Sequence, residues 1–170
     1  MAKVIADFFK YNLWANLRVL DACAGLDDAQ LDATIRGTFG SARETLVHIV
    51  AAEEGYVQRF TGQRPESVLH KDDPFPGFDE LRRRTRQSGE GLIAIAEQFD
   101  AGQLLHLTYQ GQLYDVPGIF VLIQAINHAT DHRSQVATVL SQQDVTLPEL
   151  DGWSYYWACD NEMTKSDEVR

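Results

Sequence analysis

The sequence predicts an all-α protein: a four-helix bundle with a long connection between its second and third helices and a short C-terminal helical segment. Three observations carry this. Apolar residues recur at steps of three and four over four long stretches. Those stretches carry helix start and stop signals. Between the second and third lies a segment, Thr61 to Gly77, with three prolines and no period. A connection of that length permits the helices it joins to run parallel.

The first helix spans Lys3 to about Ala24. Val4, Ile5, Phe8, Phe9, Asn12, Ala15, Asn16, Val19, Leu20 and Cys23 form its stripe, and Gly25 follows as a C-terminal glycine. Two asparagines interrupt this otherwise apolar face. After the polar segment "LDDAQLDATIRGTFG", "SARE" is a capping box, in which the Ser41 hydroxyl and the Glu44 carboxylate each accept from the other's backbone amide. The second helix runs from Ala42 to about Phe60 and ends at "TGQRP".

The third helix starts near Phe78 or Asp79. Leu81, Thr85, Ser88, Leu92, Ile95 and Phe99 alternate steps of four and three, a heptad seam with a polar middle. Next, "LLHLTYQGQLYDV" alternates around Gln110-Gly111 as a short hairpin would. Pro117 suits the first turn of the fourth helix, which continues to about Gln142. The tail carries an aromatic-rich helical segment in "TLPELDGWSYYW" and a polar end from Asp160 that is expected to fray.

At 170 residues with 44% hydrophobic side chains, the chain has material for one full core, so residues 1–170 are expected to form a single domain that folds without staples. A net charge of −10 disfavours nucleic acid or an anionic membrane as partner. The basic run "LRRRTR", Leu81 to Arg86, reads as a solvated face. Cys23 and Cys159 lie far apart and outside any C-x-x-C spacing, so no disulfide framework is indicated. Asp7 and Lys10 break up the N-terminal apolar residues, and no uncharged apolar stretch of about 20 residues occurs, so a cytoplasmic protein is expected.

The stretch "INHATDHRSQ" places His128 and His132 four residues apart. Residues at that spacing share a helix face about 6 Å apart along the axis, which lets two imidazoles aim at one point. The same stripe carries Gln124 and Gln135, flanked by Ile119, Phe120, Ile123, Ile126 and Val136. Such a pair is either a chelating pair or two hydrogen-bonded structural residues. It is not the metalloprotease motif, since Ala129 stands where H-E-x-x-H has its glutamate. A site open to water or substrate typically needs a third ligand. His70 and His106 are expected to face solvent. His48 lies inside the second helix, with Ala51, Ala52 and Gly55 following on its face, small residues that leave room for a ligand or for close helix contact.

Three stretches, "YNLWANLRVLDA", "LVHIVAAEEGYV" and "INHATDHRSQV", resemble in order and spacing the DinB-like family of bacterial proteins, also described as a DinB/YfiT-like metalloenzyme superfamily. The resemblance spans nearly the whole chain. It implies a three-histidine metal site on His48, His128 and His132, a divalent metal (zinc or nickel), chemistry on a small-molecule substrate with a low-molecular-weight thiol, and a homodimer. No residue is assigned a catalytic role.

Asn12, Asn16 and Tyr155 are candidate pocket residues, the asparagines equally suited to bridging helices. Two functions are expected from this pattern: a metal-dependent enzyme, a thiol S-transferase or hydrolase, or a non-catalytic stress-related bundle that holds a metal or small ligand.

Overall fold

The computed structural model describes residues 2–63, 67–70 and 73–167, with side chains between 3 and 161. It is mostly helical, with six helices and one small antiparallel sheet: α1 (Ala2–Cys23), α2 (Asp28–Leu31), α3 (Ala42–Thr61), α4 (Phe78–Glu97), β1 (Leu104–Tyr109), β2 (Gln112–Pro117), α5 (Gly118–Ser141) and α6 (Gly152–Asp167). The four long helices expected from periodicity are α1, α3, α4 and α5. The hairpin corrects a purely all-α reading, and α2 is an element that periodicity did not announce.

Local chemistry accounts for the boundaries. Ser41 and Glu44 form the reciprocal capping box at the start of α3, and Gly62, with φ 73°, closes its far end. Asp27 and Gln30 make a second capping box for the single turn of α2. The strands turn on Gln110 and Gly111, both at positive φ. Two consecutive left-handed residues match the turn twist that a two-residue hairpin loop needs. Pro117 ends β2 and stands just before α5 rather than inside its first turn. α6 continues to Asp167, so the segment expected to fray is helical up to there, and residues 168–170 lie outside the described ones.

α1 packs on α4 and α5, and α3 packs on α4 and α5. Contacts give the directions. Arg82 pairs with Asp21, while Gly89, further along α4, lies against Leu13, so α1 and α4 are antiparallel. Glu53 meets Ser88 and Val57 meets Gly91, so α3 and α4 run parallel, as their long connection permits. His48 meets His128 while Phe60 meets Gly118, which makes α3 and α5 antiparallel.

The core has two apolar halves. One gathers Val19, Leu20, Leu46, Val50, Leu81 and Val136, the other Phe9, Tyr56, Leu92, Leu105, Leu122 and Ala125. Between them every long helix contributes buried polar residues: Asn12 and Asn16 from α1, Glu53 from α3, Thr85 and Ser88 from α4, Arg133 from α5. The asparagines in the first stripe and the polar middle of the third helix's seam are this layer seen in sequence.

Three sequence readings are corrected. Val4 and Phe8, counted on the buried stripe of α1, are exposed, as are Phe120 and Ile123 on α5. These positions sit on the margins of stripes whose centres face the other helices. Arg84, assigned to a solvated basic face, is buried: its guanidinium holds Glu54 with two hydrogen bonds of 2.7 and 2.6 Å and also donates to Ser67. It thereby ties the connector to α3 and α4. Arg82 and Arg83 do serve surface pairs, with Asp21 and Glu80.

Candidate metal centre

His48 lies in the second turn of α3, and His128 and His132 lie one turn apart on α5. Antiparallel packing brings them together. His128 Nε2 is 2.9 Å from His48 Nε2, and His132 closes the triangle with ring centroids 4.7 Å from His48 and 4.4 Å from His128. One ring nitrogen from each lies within 4.8 Å of the others, so the three side chains could hold a metal ion. Two nitrogens bound to one zinc stand at most about 4.2 Å apart, so small ring movements suffice.

The donor chemistry suits this role. Burial, and then the neighbouring His132, pull the His48 pKa below its ordinary value. His128 is lowered to about 4 by burial, His132 and His48. Both rings are therefore neutral near pH 7 and present lone pairs. His128 Nδ1 is buried without a partner, so nothing in the described chain sets that ring's tautomer except what Nε2 meets. His132 is held differently. Its Nδ1 is 3.3 Å from Gln135 Oε1, Gln135 donates to Asp131 at 3.0 Å, and the Phe39 amide donates to the same Oε1 at 2.8 Å. A metal-binding imidazole is commonly oriented through its second nitrogen in this way.

Phe39 roofs the cluster. Its ring stacks on His48 at 4.0 Å between centroids and meets His132 edge-on at 5.4 Å. It comes from the loop before α3, where no periodicity marks it. Glu44, weighed as a support for His48, is committed to the capping box.

Asn12 and Asn16 fall one layer inward. Their amide nitrogens donate to Glu53 Oε1 at 2.6 and 2.8 Å, and their oxygens accept from Arg133 Nη1 at 2.7 and 2.6 Å. They bridge a buried acid and a buried base on opposite helices. Sequence reading missed Glu53 and Arg133, although two asparagines one turn apart on an apolar stripe imply buried partners. Tyr155 packs on Tyr11 and Trp14, at 5.7 and 5.3 Å, at the junction of α6 with α1. His70 and His106 are exposed, as expected.

A family model described as the DinB family matches residues 1–165. The chain belongs to the DinB family. No curated protein matches it. Among solved structures, that of a DinB-like protein from Bacillus cereus ATCC 10987 is similar, with a TM-score of 0.64 and 20% identity over 85% of this chain and 94% of that one. At that identity the likeness shows a shared DinB-like fold. The arrangement of His48, His128 and His132 within it stands on this chain's own geometry.

Proposed function

We propose that this DinB-family protein is a divalent-metal-dependent enzyme, a transferase that joins a low-molecular-weight thiol to a small-molecule substrate, with zinc or nickel held by His48, His128 and His132. The observation that carries this reading is the convergence of three imidazole nitrogens within 4.8 Å of one another. Three neutral ligands leave a divalent ion its full charge, which makes it a Lewis acid toward a thiol or water. The chain's own contribution is positioning: Gln135 orients His132, Phe39 keeps water off one face of His48, and burial keeps His48 and His128 unprotonated.

In the same reading the four long helices form a four-helix bundle and one domain. The protein works in the cytoplasm, without nucleic acid or membrane, in keeping with its charge of −10 and the lack of any described helix long and apolar enough to cross a membrane. It is a homodimer, supported by the exposed Trp153, Tyr156 and Trp157 on α6. A second reading, a non-catalytic metal- or ligand-holding bundle, draws on Phe39, whose stacking narrows the approach to His48.

Elemental analysis of tag-free protein, with His48→Ala and His128→Ala beside it, tests the site. About one zinc or nickel per chain is expected in the wild type and none in either variant. Wild-type protein that neither contains nor takes up metal refutes the proposal. With metal present, thiol consumption that disappears on metal removal separates the enzyme from the holding bundle.

A further inference from the structure

We propose that the cavity between the C-terminal end of α3 and the β-hairpin binds an elongated, partly apolar monocarboxylate that reaches toward the three histidines, with Arg59 as the residue that takes its carboxylate. A cavity of about 500 Å³ lies between the C-terminal end of α3, the hairpin and the start of α5, and Tyr56, Arg59, His106, Tyr109, Phe120 and Gln124 are among its walls. That volume is within the range of small-molecule sites. Among the described residues no aspartate or glutamate lines it, in a chain with 25 acidic and 15 basic side chains, so its local charge runs against that of the molecule.

Arg59 supplies that charge. Its guanidinium sits 5.2 Å over the Tyr56 ring, and among the described residues it has no carboxylate partner. The other basic wall residue, His106, is already paired with Asp115 at 2.6 Å. A guanidinium beside aromatic rings suits an acid with an apolar body: the planar fork takes the carboxylate, and the rings take the hydrocarbon.

The cavity and the candidate metal centre lie along one face of α3. At 100° per residue, Ala52, Gly55 and Arg59 all fall within about 40° of His48, and about 16 Å of axis separates His48 from Arg59. The residues between are small, and a Cβ built on Gly55 would meet nothing within 4 Å. On the facing helix Gln124 stands one turn before His128, and Tyr56 lies edge-on to the His128 ring at 5.9 Å. An acid anchored on Arg59 thus extends its far end along Gly55 toward the histidines. Only the role of that far end rests on the metal-enzyme reading; the acid site itself does not.

The test is calorimetry with 4-phenylbutanoate and its uncharged amide on the wild type, Arg59→Gln, Arg59→Lys and Gly55→Leu, with metal content measured on each. The acid is expected to bind the wild type about tenfold more tightly than the amide. Arg59→Gln should erase that preference and Arg59→Lys keep part of it, with metal content unchanged. Equal binding of acid and amide, no binding of either, or an unaltered preference in Arg59→Gln overturns the acid site. Unchanged acid affinity in Gly55→Leu overturns the path to the histidines. Preserved Arg59-dependent binding in a protein that takes up no metal would refute the metal centre while supporting the acid site.

Discussion

Replacing Glu53 by glutamine should remove a pH dependence of stability that the wild type carries. Glu53 is fully buried, and burial pushes its pKa up from 4.5 to about 7, against the smaller opposing effects of Asn12, Ser88, Arg133 and Asn16. In the unfolded chain the carboxyl ionises near its ordinary 4.5. Between those values the folded protein holds a proton that the unfolded chain has released, so stability falls as pH rises. At about 1.4 kcal/mol per pH unit, the loss between pH 4.5 and pH 7 is about 3 kcal/mol.

Glutamine copies the protonated form. Its oxygen accepts from Asn12 and Asn16 as Glu53 Oε1 does, and its amide can donate to Ser88 Oγ, whose hydroxyl is free to donate to the Thr85 carbonyl at 3.3 Å. The histidines act oppositely: His128, lowered to about 4, contributes stability present above pH 6.5 and lost as pH falls through 4. The assay is therefore a difference. Urea unfolding of wild type and Glu53→Gln at pH 5, 6, 7 and 8 should show equal stability at pH 5, with the variant ahead by about 3 kcal/mol at pH 8. A variant less stable at pH 8 than at pH 5 relative to wild type would refute the reasoning, because it would mean that the ionised Glu53–Arg133 pair outweighs desolvation.

Two further outcomes are expected. Arg84→Ala leaves Glu54, 12% exposed, without its bidentate partner and releases Ser67, so it should cost about 3 kcal/mol in urea unfolding and quicken proteolysis of the connector; a loss under 1 kcal/mol would show that Glu54 finds water instead. Phe39→Ala removes the ring stacked on His48 without opening the core, since Phe39 is 45% exposed. In metal-free protein, an NMR titration should find the His48 pKa moved up toward 6.5 with the urea midpoint little changed, and an unmoved pKa would show that Phe39 does not shield it.

The sequence by itself determined the four long helices, the capping box that starts α3, the tight hairpin turn and the shared helix face of His128 and His132, because each depends on groups no more than a few residues apart. Helical period, caps and left-handed turns are properties of neighbouring residues. That His48 is a candidate third ligand came from likeness to a family, since no spacing rule links residues 80 apart. Tertiary structure alone decided the rest. Glu53 meets Asn12 across 41 residues, Arg133 meets the same asparagine across 121, and the Phe39 amide donates to Gln135, 96 residues on. Those contacts follow from how antiparallel and parallel helices slide into register, which buried volume and polar pairing settle together. Arg84 makes the same point: next to Arg82 and Arg83 it reads as one of three surface arginines, and only the approach of α3, with Glu54 facing it, turns it inward.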